Sequence, residues 1–291
     1  MENRKNNDLK LGERGVMLSI IAYIALSIIK LTVGYISDSS ALRADGLNST
    51  TDIIASLAIL IGLRISQKPP DKDHRYGHRK SETIASLIAS LIILTVGLQV
   101  LFDAGSSMIR GGQETPGVFA AYTAVFSGLV MYFVYRSNRK LALKINNNAL
   151  MAVAKDNRSD AWVSFGAAIG IFGAQLNMAW LDSLTAVIVG LLIIKTGWDI
   201  FRQSSHELSD GFDEEKLEYY QTIIEKINGV EAIKEIKGRT YGNLEFIDLV
   251  ILVDSSLGIK EAHDIATEVE NTMINKYGLY EVHVHVEPIS P

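Results

Sequence analysis

A chain of 291 residues that is 48% hydrophobic, with a mean hydropathy of +0.17, is poorly suited to be a single soluble globule, because it holds apolar stretches long enough to cross a hydrocarbon layer of about 30 Å. It has no cysteine, which excludes disulfides and thiolate metal ligation and leaves oxygen or imidazole nitrogen for any metal. The net charge of −5 hides a division: Glu207 to Pro291 carries 18 acidic and 7 basic residues, net −11, whereas the remaining 206 residues carry 21 basic and 15 acidic, net +6. An acidic tail argues against a nucleic-acid partner and suits a cytosolic domain that meets cations.

The N-terminal run MENRKNNDLKLGERG is polar and basic, and the apolar run after it lacks a small-residue cleavage pattern, so the first helix reads as a retained anchor. Apolar stretches then occur at Gly15–Ile36, Ala41–Ile65, Thr83–Met108, Val118–Tyr135, Ala149–Leu176 and Leu181–Ile200, which predicts six transmembrane helices. The linkers alternate in charge. Arg64, Lys68, Lys72, Arg75, Arg79 and Lys80 crowd one, and Arg136, Arg139, Lys140 and Lys144 another, while the others hold almost none. The positive-inside bias therefore places both termini in the cytoplasm of a multi-pass cell-membrane protein.

After Gln203 the pattern changes to a helix near Asp213–Ile227, strands near Ala232–Thr240 and Glu245–Val253, a helix near Lys260–Tyr277 and a strand near Glu281–Glu287. That αββαβ order predicts a C-terminal cytosolic α+β domain of ferredoxin-like type. The expected organisation is a cytosolic segment 1–14, an α-helical polytopic membrane domain 15–203 and the cytosolic domain 204–291.

Two pairs of residues stand out. Asn48 and Asp52 in ADGLNSTTD, and Asp156 and Asp160 in KDNRSD, are each spaced i, i+4 on a predicted membrane helix, so each pair shares one helix face. Ionisable side chains at membrane depth are costly and mark an ion path or a proton relay. At about 1.5 Å per residue, Asn48 lies roughly 12 Å and Asp52 roughly 18 Å from the outer boundary. On the oppositely directed fifth helix, Asp156 lies roughly 20 Å and Asp160 roughly 13 Å from it. Four oxygen donors thus reach one level. Such a hard donor set suits Mn²⁺, Mg²⁺ or Ca²⁺ better than a site with imidazole would. With M²⁺ bound the site holds roughly −1, and empty roughly −3, so exchange of outgoing metal for incoming H⁺ is expected.

Around these motifs the chain resembles the cation diffusion facilitator family: six membrane helices, ADG followed by a paired i, i+4 site, the cytosolic run DHRYGHRKSE and an αββαβ tail. The resemblance implies a transport site at Asn48, Asp52, Asp156 and Asp160. Zinc carriers usually have a His in that set, and the Asn/Asp plus Asp/Asp combination is similar to the bacterial manganese-efflux branch. It also implies a homodimer with no permanent cofactor, exporting Mn²⁺ from the cytosol by H⁺ antiport, with alternating access around a mid-bilayer site. Zn²⁺, Fe²⁺, Co²⁺ and Cd²⁺ are the alternative cargoes. By the same resemblance Asp71, His74 and His78 match a peripheral loop site, Lys80 and Asp210 a structural charge pair, and Asp248, His263, His285 and Glu287 a cytosolic metal site. That last site lacks one ligand, since Val250 stands where zinc-type members have His.

Other polar residues read more plainly. Lys30 is expected to snorkel outward, Asp45 and Asp182 to serve as caps or ion-pair partners, and His206 to mark the membrane-to-tail junction. His283 alternates with His285 on one strand face. An intramembrane aspartyl hydrolase would need two Asp sharing a proton across helices, with a helix-breaking Gly motif that is not found. A non-transporting metal sensor or scaffold would not need a complete intramembrane site.

Overall fold

A computed structural model describes residues 2–110, 115–145, 148–242 and 244–289. Six long helices come first: α1 (Glu2–Ile36), α2 (Ser40–Ser66), α3 (Ser81–Arg110), α4 (Val118–Ile145), α5 (Asn148–Gln175) and α6 (Trp180–Leu208). They are followed by α7 (Glu214–Ile224), β1 (Ala232–Tyr241), β2 (Leu244–Val253), α8 (Ile259–Tyr277) and β3 (Glu281–Pro288). The helix α1 begins at Glu2, so the polar segment expected to precede the first helix is continuous with it.

Among the described residues five helices are long and apolar enough to cross a membrane, Arg14–Ile36, Ser40–Ser66, Ser81–Ile109, Val118–Ile145 and Trp180–Leu208, and the expected sixth span, α5, is not among them. The physical reason for the difference is local. At 28 residues α5 has the length, but Lys155, Asp156, Arg158 and Asp160 fall within two turns and lower its apolar character.

The chain divides into two units, Met1–Ala58 with Ile88–Asp199, and Ile59–Leu87 with Ile200–Pro291. In the first, small residues face inward. Ala41, Ala120, Ala121, Ala124 and Ala167 are fully buried around Leu42 and Ile171, while large apolar side chains such as Phe102, Phe119, Phe133 and Ile169 stay exposed. This is the pattern of helices that pack backbone to backbone with their bulky side chains toward hydrocarbon. Gly128 shows why: a Cβ there would lie 2.5 Å from the Phe165 ring, so only glycine lets α4 approach α5. The start of α2 is capped from α6, because Asp182 accepts from Ser39 Oγ and Ser40 N, each at 2.6 Å.

The second unit holds a three-stranded sheet of order β1-β2-β3, with β1 and β2 antiparallel and β2 and β3 parallel. The period-two run of β2 puts Ile247, Leu249, Ile251 and Val253 on one face, against Tyr220 and Ile224 of α7 and Val269 and Met273 of α8. Asp213 caps α7 by accepting from the Glu215 and Lys216 backbone N–H groups, and Gly278, at φ 75°, closes α8 in the left-handed conformation. Tyr220 donates to Glu245 at 2.9 Å, and burial together with that carboxylate pushes its phenol up to about 12. His206 packs its ring where a Cβ on Gly211 would sit.

Candidate metal centre

Helices α2 and α5 bring Asn48 and Asp160 into direct contact, with Asn48 Nδ2 donating to Asp160 Oδ1 at 3.3 Å. Asp52 lies one turn along α2 from Asn48, and its Oδ2 is buried with no hydrogen-bond partner. Asp160 is 9% exposed. Asp156, one turn along α5, is exposed. A partnerless carboxylate oxygen buried beside a second carboxylate is an unfavourable arrangement unless a cation or protons complete it. The donors available from the four side chains are all oxygen once the Asn48 amide presents its carbonyl, which is the coordination chemistry of a hard divalent cation.

The sequence reading missed the residues that hold Asp160. Tyr23 of α1 donates from its hydroxyl to Asp160 Oδ2 and lies 3.1 Å from Asn157 Oδ1. Asn157 Nδ2 donates to Ser19 Oγ at 2.9 Å, and Asn138 Nδ2 of α4 donates to the same oxygen at 2.8 Å. A buried polar chain therefore links α4, α1, α5 and α2 and ends on the Asp160 carboxylate. Ser19, Tyr23 and Ser27 recur at four-residue spacing and Lys30 follows three residues on, so this polar stripe was visible in the sequence of α1.

Lys30 does not snorkel. It is 0% exposed and makes a 2.9 Å ion pair with Asp45, whose side chain is 1% exposed. The expected outward path gives way to a partner on α2, because a buried ammonium is stable only when paired and hydrogen-bonded. Asp45 is thus an ion-pair residue, as expected, with Lys30 as its partner.

In the linker between α2 and α3, Asp71, His74 and His78 come together, with one ligand atom from each lying within 4.8 Å of the others. Asp71 accepts from the backbone N–H groups of His74 at 2.7 Å and Asp73 at 3.0 Å, and the His74 hydrogen bond above all holds its carboxyl below the usual carboxylate range. His78 Nε2 lies 3.4 Å from Asp71 Oδ2. Lys80 and Asp210 form a 2.8 Å pair whose side chains are 32% and 57% exposed.

The four tail candidates do not converge in this way among the described residues. Asp248 is paired with Arg239, Glu287 with Lys234 at 2.6 Å, and His263 is exposed on α8. His285 lies 3.9 Å from Glu287 and is 70% exposed, and His283, 63% exposed, sits 2.8 Å from Glu281. Val250 pairs in register with His285 and offers no ligand atom.

A helical membrane domain carrying buried carboxylates, followed by a small sheet domain, defines the general class of polytopic membrane proteins with an intramembrane acidic site. Residues 16–209 match the cation efflux transmembrane domain and residues 212–289 match the cation efflux protein cytoplasmic domain. The chain belongs to the cation efflux family, the cation diffusion facilitators. It is similar to the manganese efflux system protein MneS of Bacillus subtilis (strain 168), at 55% identity over 97% of this chain and 98% of that one. It is also similar to the manganese efflux system protein MneP of the same organism, at 32% identity over 96% of this chain and 97% of that one. A solved chain titled "Mode of Action of a Putative Zinc Transporter CzrB" shares 24% identity, covering 28% of this chain and 100% of that one at a TM-score of 0.26.

Proposed function

We propose that this protein is a carrier, not an enzyme, which exports Mn²⁺ across the cell membrane in exchange for H⁺. The observation that supports it most is the pairing of Asn48 with Asp160 across α2 and α5, beside the buried and partnerless Asp52 Oδ2. Asn48, Asp52, Asp156 and Asp160 form the transport site in this reading, with Mn²⁺ as the cargo. The similarity to two proteins named for manganese efflux favours Mn²⁺ over Zn²⁺, Fe²⁺, Co²⁺ or Cd²⁺. Incoming protons replace the departing charge, since three empty carboxylates cannot all stay ionised in a poorly polarisable interior.

In this reading α5 is the sixth span, with its Asp160 carboxylate turned inward onto Tyr23 of α1 and Asn48 of α2. The basic linkers place both termini in the cytoplasm. The tail is a ferredoxin-like domain through which two copies associate as a homodimer. The Asp71, His74 and His78 cluster holds a peripheral ion, whereas Asp248 and Glu287 bind metal only after leaving Arg239 and Lys234. Lys80 and Asp210 form a local brace.

The test is Mn²⁺ entry into vesicles holding the purified full chain under an imposed pH gradient. Flux should follow the gradient and be lost in Asp52→Ala and Asp160→Ala. Wild-type flux indifferent to the gradient would remove the H⁺ exchange, and flux surviving both substitutions would remove the site.

A further inference from the structure

Lys30 spends all three of its ammonium hydrogens inside the helix bundle, on Asp45 Oδ1 at 2.9 Å, Ser49 Oγ at 3.1 Å and Ser164 Oγ at 3.0 Å. Asp45 and Ser49 belong to α2, and Ser49 is the neighbour of Asn48. Ser164 belongs to α5, one turn beyond Asp160. The ammonium therefore spans the two helices that carry the transport site, on the side of the Asn48–Asp160 contact nearer the α1–α2 turn.

Burial changes across that level. Toward the α1–α2 turn, Ala41, Leu42, Ala124, Ala167 and Ile171 are fully buried, closing α2, α4 and α5 on one another. On the other side of the site Val134, Asn138, Ala154 and Asn157 keep α4 and α5 closed on α1, whereas none of Ile53–Ala58 of α2 is buried and Asp156 is exposed. At one end α2, α4 and α5 are closed together, at the other Asp156 and the adjoining stretch of α2 are left uncovered, and Lys30 sits at the boundary of the closed half.

We propose that Lys30 is a positioning residue for transport: it clips α2 to α5 and so keeps the site shut toward the α1–α2 turn, and release of Ser164 is the event that opens that end. This rests on reading the Asn48–Asp160 region as the transport site. The ion pair and the hydroxyl contact are unequal partners. Lys30 and Asp45 lie on α1 and α2, which a short turn joins, and their opposite charges are buried together, so separating them is strongly unfavourable. The bond to Ser164 is a single contact to a neutral hydroxyl and is the one cheap enough to break in each cycle. Lys30 thus stays with α2 while α5 moves.

The chain has no cysteine, so single reporters can be placed on a clean background. Ala168→Cys, one turn beyond Ser164 and 3% exposed, reports the closed end. Ser56→Cys, one turn from Asp52 on the same face, reports the open end. Labelling by a polar maleimide is measured in the full chain in vesicles, alongside Mn²⁺ flux. Adding Ser164→Ala should raise labelling at position 168 by about two- to tenfold, the weight of one hydrogen bond, and lower it at position 56. Lys30→Met should do the same more strongly, and Lys30→Arg should stay closer to the parent. Should Lys30→Met fail to fold, Ser164→Ala remains decisive. Unchanged labelling at position 168, or a rise at both positions, which marks general loosening, would overturn the clip. Absent Mn²⁺ flux in the parent would overturn the transport reading instead, whatever the labelling showed.

Discussion

Tyr23→Phe removes one oxygen and tests how the site holds its shape. In the structure the Tyr23 hydroxyl meets both Asp160 Oδ2 and Asn157 Oδ1, and the residue is 7% exposed, so no water readily takes its place. A hydrogen bond to a charged group contributes about 1.5–3 kcal/mol, and loss of a side chain that orients a metal ligand commonly costs about 10- to 100-fold in metal affinity. The predicted result is a rise of roughly tenfold in the KM for Mn²⁺, because about 1.4 kcal/mol of ligand orientation is lost, with the saturated rate little changed. Initial rates of Mn²⁺ entry into vesicles across a range of Mn²⁺ concentrations separate the two constants. A KM that stays the same would refute the idea that Tyr23 steadies Asp160 as a ligand, and a KM that falls would mean that it competes with the metal.

Asn48→His introduces a nitrogen into an all-oxygen set and should shift the preference from Mn²⁺ toward Zn²⁺, read as the ratio of the two fluxes; an unchanged ratio places selectivity elsewhere. Lys80→Ala should lower full-chain stability by no more than about 1 kcal/mol, since the Lys80–Asp210 pair is exposed to solvent, and a larger loss in the melting transition would point to contacts beyond that pair. Asp71→Asn combined with His78→Ala should remove a bound ion in equilibrium dialysis while leaving Mn²⁺ flux in place. The Asp71 carboxyl is held low, so its capping of the loop is fully present above the usual aspartate value. It should be lost only as the pH falls through the lowered one, which a carboxyl-resolved NMR titration reads.

The four candidate residues could be singled out because helical spacing and membrane depth need only one segment at a time. Asn48 and Asp52, or Asp156 and Asp160, share a face whatever packs against them. What the chain could not reveal alone was partnership across helices. Lys30 looked like a side chain seeking the surface because its partner Asp45 lies across the α1–α2 turn, and only the packing of α1 on α2 brings Nζ to 2.9 Å from the carboxylate. Tyr23 looked like an ordinary aromatic, although its place in the Ser19–Tyr23–Ser27 stripe was there to be read. The strands of the tail were legible from the alternation in Glu245–Val253. The ion pairs of Asp248 with Arg239 and of Glu287 with Lys234 were not, since they depend on strand register. The charges of KDNRSD explain why Ala149–Leu176, read as an apolar stretch long enough to span, does not qualify by apolar composition.

In the proposed transport site Mn²⁺ rests among oxygen ligands from α2 and α5. The most direct test is pulsed electron paramagnetic resonance of Mn²⁺ bound to the full chain carrying His74→Ala and His78→Ala, which removes the loop imidazoles. The predicted spectrum shows bound Mn²⁺ without directly coordinated nitrogen, and that signal disappears when Asp52→Ala or Asp160→Ala is added. A strong nitrogen coupling that is lost together with Asp52 or Asp160, or bound Mn²⁺ that survives both aspartate substitutions, would contradict that coordination.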